Sequence, residues 1–203
     1  MAITECYITL ANLKEVLEID AAITSYDTSL TIAINSVCRL IDAKTGRRFY
    51  TTTSAETRAY TPQSYKTIWV PDDINSLTSL KTDEDGDGTY ENTWATSDYS
   101  LEPTNATLDS KPYTHIKTKI EGDYTFPIHV PNSVQLVGKF GWGATSAVPD
   151  VVKQAALIQC SRIYLRKNTP FGVAGAAEFG TIANIPKLDP DVEQMLLPVT
   201  RRI

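Results

Sequence analysis

The chain has 203 residues, 42% hydrophobic and 21% charged. That balance suits one globular domain, or one domain with an insertion, and excludes a disordered chain. Its formal net charge is −5 and its pI about 5.1, without the basic stripe of a free-standing nucleic-acid binder.

No apolar run is long enough for a membrane span, and Met1-Ala2-Ile3-Thr4-Glu5 lacks the basic and apolar regions of a signal peptide. The sequence therefore reads as cytoplasmic. Cys6, Cys38 and Cys160 are far apart and form no CxxC or Cys/His cluster, so they read as small core residues or free thiols.

The first helix is predicted to begin after Thr9 as N-cap, with Leu10, Leu13 and Leu17 on one stripe. A second follows Asp27, carries Leu30, Ile34, Val37 and Ile41, and stops at Gly46. From Phe49 the period falls toward two. Thr57–Tyr60, Thr67–Val70 (ending at Pro71), Thr78–Thr82, His115–Ile120 and Ser133–Phe140 read as short strands of a small antiparallel sheet or barrel. Helix returns at Pro149 with an apolar face through Val152, Ala155, Ala156 and Ile158, and ends near Asn168. The segment from Pro170 to Ile185 has no clear period. A last helix takes Asp189 as cap and Pro190 as first residue, with Asp191 and Glu193 in its first turn, and ends or kinks at Pro198. The expected fold is α+β: mainly a four-helix bundle, residues 1–48 and 146–203, with a small antiparallel β domain inserted at 49–145.

Few residues suggest chemistry. Asp83, Asp85, Asp87 and Gly88 match the first half of a calcium loop, in which alternate carboxylates converge on a hard cation. The second half departs from it, because Trp94 stands where a bidentate Glu belongs. An Asp/Gly hairpin turn, with Gly86 and Gly88 at positive φ, is the preferred reading over a metal site. His115 and His129 have no sequence partner for a zinc site or a triad. Gly138-Lys139-Phe140-Gly141-Trp142-Gly143 lacks P-loop spacing and reads as a turn. No enzyme, no cofactor and no catalytic residue is expected.

Arg47 and Arg48 read either as solvated charges after a helix stop or as interface contacts. Phe171, Phe179, Ile182 and Ile185 lie in a connection long enough to suggest a loop ordered against a neighbour.

Tyr7-Ile8-Thr9-Leu10-Ala11-Asn12-Leu13-Lys14 and Ile41-Asp42-Ala43-Lys44-Thr45-Gly46-Arg47-Arg48-Phe49-Tyr50 resemble the N-terminal half of the gp6-like head–tail connector (adaptor) family of tailed bacteriophages. Trp69-Val70-Pro71-Asp72-Asp73, Asp85-Gly86-Asp87-Gly88-Thr89-Tyr90 and Asp98-Tyr99-Ser100-Leu101-Glu102-Pro103 are similar to members with a β insertion. The tail from Asp189 to Arg202 resembles the family's C-terminal helix.

The resemblance implies a structural virion protein at the head–tail interface, assembled in the host cytoplasm as a homo-oligomeric ring, commonly a dodecamer. Its implied partners are the portal protein on one side and stopper or tail proteins on the other. DNA would pass through its channel without sequence-specific binding. Asp189 to Ile203 would be the portal side, and Leu188, Met195, Leu196, Leu197, Arg201 and Arg202 join the partner-interface candidates. On this reading, deleting residues 189–203 leaves a folded subunit that cannot dock. The alternatives are a stopper or tail-completion protein, and a calcium-dependent binding module.

Overall fold

The computed structural model describes residues 5–143, 148–166, 173–174, 183–184 and 188–201. The chain divides into two compact units: residues 1–46 with 148–203, and residues 47–147. The first unit contains α1 (Leu10–Val16), α2 (Asp27–Thr45), α3 (Asp150–Leu165) and α4 (Pro190–Leu196), the last running into a 3-10 turn at Leu197–Val199.

The helix ends follow from their capping residues. The Thr9 hydroxyl accepts the Asn12 amide and the Asn12 side chain accepts the Thr9 amide, closing a capping box on α1. Gly46 takes φ 65° and its amide donates to Asp42, the left-handed cap expected of glycine. The start of α2 is shifted by one residue: Asp27 is its first residue, and its carboxylate reaches the Lys14 ammonium at 2.6 Å. Lys14 also donates to the carbonyls of Ala21 and Ile23, at 3.3 and 2.8 Å. A buried lysine is thereby satisfied on three sides.

The core of this unit gathers Leu13, Leu30, Ile34, Val37, Ile41, Val152, Ala155, Ala156, Val192 and Leu196. The alanines of α3 let it pack closely against α1, α2 and α4. Asp189 caps α4 through the Asp191 amide at 3.0 Å, and its other oxygen accepts from Arg162 on α3 at 2.9 Å.

The second unit is a six-stranded antiparallel sheet: β1 (Glu56–Tyr60), β2 (Thr67–Thr82), β3 (Asn92–Thr93), β4 (Tyr99–Glu102), β5 (Tyr113–Thr118) and β6 (Val134–Phe140), in the order β1-β6-β2-β5-β4, with β3 on β2. Sequence reasoning separated Thr67–Val70 from Thr78–Thr82 at Pro71, but they are one strand. The β2–β5 register shifts between Trp69 and Ile74, and Asp73 stands at φ 56°. Proline is accommodated at such a bulge, where the ladder does not need its amide. β2 therefore serves two neighbours: Thr67–Ile74 pairs with β5, and Ile74–Thr82 with β6.

The buried face carries Ile68, Val70, Ile74, Leu80, Ile116, Val134, Leu136 and Phe140, alternating as a half-buried sheet requires. Trp94 and Phe126 stack over it at 4.8 Å. The expectation of a mainly helical bundle is corrected: helix and strand are of comparable extent, and the architecture is mixed α+β. The added strand content lies in the continuity of β2 across Pro71 and in the short β3 and β4. Two further short strands, β7 (Val173–Ala174) and β8 (Ala183–Asn184), pair with each other.

Candidate assembly surfaces

The acidic loop joins β2 to β3. Lys81 pairs with Thr93 and Thr82 with Asn92, so residues 83–91 close a hairpin. Asp83 is buried, and its two oxygens accept the amides of Gly86 at 2.7 Å and Gly88 at 2.9 Å. The glycines take φ 82° and 89°, as the turn reading requires. One ligand oxygen from each of Asp83, Asp85, Asp87 and Glu91 falls within 4.8 Å of the others, so the sequence-derived set gains Glu91. Such a ring of carboxylates has the donor chemistry for a hard cation. The two loop amides already occupy Asp83, however, and Trp94, where a calcium loop has its Glu, faces the core and donates to Thr82 at 3.0 Å.

Arg47 and Arg48 have different environments. Arg47 is mostly buried, donates to both oxygens of Asp73 at 2.8 and 3.0 Å, and lies 5.2 Å over the Trp142 ring. This is an internal ion pair of the β unit. Arg48 is exposed and lies 5.8 Å from the Tyr50 ring centre. Sequence could not assign Arg47, because its partner is 26 residues away.

The histidines fall at separate places. His115 packs on the exposed Trp69, ring centres 4.4 Å apart and tilted by 32°, and its Nδ1 lies 3.1 Å from the Thr114 hydroxyl. Burial first, then the Lys117 ammonium, hold it below the usual histidine range, while Glu102 pulls the other way. His129 Nε2 lies 3.3 Å from the Tyr65 hydroxyl.

Among the C-terminal candidates, Leu196 is buried in the helical unit's own core and Leu197 is 52% exposed. Leu188 and Met195 are half-buried. The Arg201 amide donates to the Thr45 carbonyl at 2.9 Å, tying the tail to the end of α2. Val192 and Val199 are buried as well, so removing residues 189–203 would open the core. The expectation that such a deletion leaves the subunit folded is withdrawn on that ground. Phe171, Phe179, Ile182, Ile185 and Arg202 lie outside the residues whose side chains are described. The helical unit also exposes Val16, Ile23, Tyr26, Ile32, Leu40 and Leu165. Among the described residues, no helix is long and apolar enough to cross a membrane.

No protein-family model and no curated protein sequence matches the chain. The likeness to the gp6-like connectors thus rests on the segments quoted above. Solved structures share the fold. A chain from the neck of an empty GTA particle, computed with C6 symmetry, is 18% identical with a TM-score of 0.61. One from the neck of a native GTA particle, computed with C12 symmetry, is 18% identical with a TM-score of 0.58. A third, from the virion of a native gene transfer agent (GTA) particle, is 16% identical with a TM-score of 0.59. Each alignment spans 100% of this chain and 94% of the other, so this chain has the fold of a subunit found in the neck of a phage-like particle.

Proposed function

We propose that this chain is a structural subunit of a phage-like virion neck, a head–tail connector that repeats around a ring between the portal and the stopper or tail and continues the DNA channel. The observation that carries this reading is the end-to-end likeness to chains from GTA necks, which includes the helices and the sheet alike. The sixfold and twelvefold symmetry named for those necks supports a closed ring, the outcome when one surface repeatedly meets a different surface of its neighbour. The acidic chain also suits a channel: tight DNA binding needs cations to neutralise phosphates, and a net charge of −5 disfavours it.

In this reading residues 1–48 and 146–203 form the connector domain and 49–145 an inserted domain. The portal-facing candidates are Leu188, Met195, Leu197, Arg201 and Arg202. Leu196 contributes from beneath, by holding α4 in place.

Electron microscopy of the purified protein, alone and mixed with its portal, tests the assignment. Rings seated on the portal are expected. Cosedimentation with the tail tube and not with the portal would move the protein to the stopper side, and a monomer indifferent to both would end the proposal. Leu197→Asp should leave the fold intact, because surface substitutions typically change stability by about 0.5 kcal/mol or less. The same substitution should abolish portal binding. Undiminished binding would remove Leu197 from the interface.

A further inference from the structure

Three cysteines that are scattered in the sequence converge in the helical unit. The Tyr7 amide donates to Cys38 Sγ at 3.5 Å, which brings the preceding residue, Cys6, onto the same turn of α2. Cys6 Sγ lies 3.7 Å from the Ile34 carbonyl and 3.4 Å from Asn35 Oδ1. In a helix the carbonyl of residue 34 accepts the amide of residue 38, so the Cys6 sulfur sits beside the backbone of Cys38. The segment before α1 is held there by two further contacts: Arg39 donates to the Glu5 carbonyl at 2.9 Å, and the Tyr7 hydroxyl bonds to Asp42. Cys6 is half-buried and reachable from solvent, whereas Cys38 and Cys160 are buried. All three are free thiols.

We propose that Cys6 and Cys38 form a dithiol site that closes to an intramolecular disulfide when the protein meets a small-molecule disulfide such as oxidised glutathione. The Cys6 thiolate attacks one sulfur of glutathione disulfide, forming a mixed disulfide and expelling one glutathione thiolate. Cys38 then loses its proton and attacks the Cys6 sulfur, expelling the second. Two protein thiols give up two electrons and two protons, and one glutathione disulfide becomes two glutathione thiols.

The order of attack follows from the environments. The neighbouring Cys38 thiol is the main cause that holds Cys6 below the ordinary thiol range, and Cys6 in turn is the main cause that pushes Cys38 above it. Cys6 is therefore the more ionised and the more exposed, as an attacking thiol must be. Once Cys6 is capped, its charge no longer opposes ionisation of Cys38. Cys160 is pushed up to about 12 by burial and stays out of the exchange. Closure would pin the segment before α1 covalently to α2. Contacts made in a reducing compartment would then be fixed when the protein reaches an oxidising one.

The experiment uses the full chain in its native state. It is incubated with oxidised glutathione, denatured, alkylated and mapped by mass spectrometry. The expected product is a Cys6–Cys38 linked peptide lighter by two hydrogens than the reduced pair, with Cys160 still alkylated. The oxidised protein should melt several degrees higher than the reduced one. Cys38→Ser should stop at the glutathione adduct on Cys6, and Cys160→Ser should close like the parent chain. If Cys6 in the parent chain retains glutathione, or if both thiols remain alkylatable, Cys38 is out of reach and the proposal fails. Because Cys6 is half exposed, Cys6→Ser provides a folded control that should show no oxidant-dependent rise in melting temperature.

Discussion

Replacing Arg47 with Leu should destabilise the β unit by about 1.5–3 kcal/mol, because it removes the charged hydrogen bonds that the guanidinium gives the buried Asp73 carboxylate. The Asp73 side chain is 1% exposed and the Arg47 side chain 15%, so water reaches the arginine end of the pair but barely the aspartate end. Loss of the Trp142 contact adds about 0.5–1 kcal/mol, the usual worth of a guanidinium over an aromatic ring at a partly solvated site. Against a typical stability of about 5–15 kcal/mol this is a large fraction. With a urea slope of about 2 kcal/mol per molar, the unfolding midpoint should fall by about 1–2 M. Tryptophan fluorescence reads this unit directly, since Trp69, Trp94 and Trp142 all lie within residues 47–147. Asp73→Asn should cost less, about 1–2 kcal/mol, because asparagine tolerates φ 56° and keeps a side-chain oxygen that can accept from Arg47. The double variant should lose less than the sum of the singles, with a coupling of about 1–3 kcal/mol. A cost below about 1 kcal/mol for Arg47→Leu, or strict additivity in the cycle, would show that the pair does not hold the β2 bulge.

Asp83→Ala removes the acceptor for the Gly86 and Gly88 amides and should destabilise the β unit by about 1–3 kcal/mol in the same urea assay, while Asp87→Ala, at an exposed position, should cost clearly less. Equal losses at the two positions would mean that Asp83 does not organise the hairpin. His115 gives the β unit an acid-sensitive component. Its pKa is depressed in the folded chain, so as pH falls below the ordinary histidine value the unfolded chain takes up a proton that the folded chain refuses, and stability drops. The effect runs from the ordinary value of about 6.5 down through the depressed one. Midpoints measured from pH 7.5 to 5 should decline less steeply in His115→Gln than in the parent. Parallel declines would assign the acid sensitivity elsewhere.

The parts of the fold that were legible in the sequence are those set by neighbours along the chain. Thr9, Gly46 and Asp189 mark helix ends because a cap is a contact between residues two to four apart, whereas Pro149, read as the first helical residue, stands one position before α3 and makes no side-chain cap bond. The strand at Val134–Phe140 was legible because its alternation is unbroken. Pro71 misled because a proline in the sequence does not reveal whether the ladder needs its amide there, and only the shift against β5 shows that it does not. The candidate site was less legible for the same physical reason. Arg47 meets Asp73 across 26 positions and Tyr7, beside Cys6, meets Cys38 across 31, and nothing local to these residues encodes the partner.

The closure of the β unit explains how so long a stretch can stand between α2 and α3. Its first and last strands are paired with each other: Glu56 faces Gly138 and Tyr60 faces Val134. The pairing continues outward, with the Thr52 amide on the Phe140 carbonyl at 3.0 Å and the Trp142 amide on the Arg48 carbonyl at 2.9 Å. Phe49 packs on Trp142 at 5.3 Å in the same closing segment. Where the chain enters this unit and where it leaves are therefore zipped side by side by backbone hydrogen bonds. A unit with adjoining ends asks little of the chain that carries it, since it closes its own loop and buries its own core. This accounts for a sheet as extensive as the helices in a chain whose helix-end signals, read alone, suggested a bundle with a small appendage.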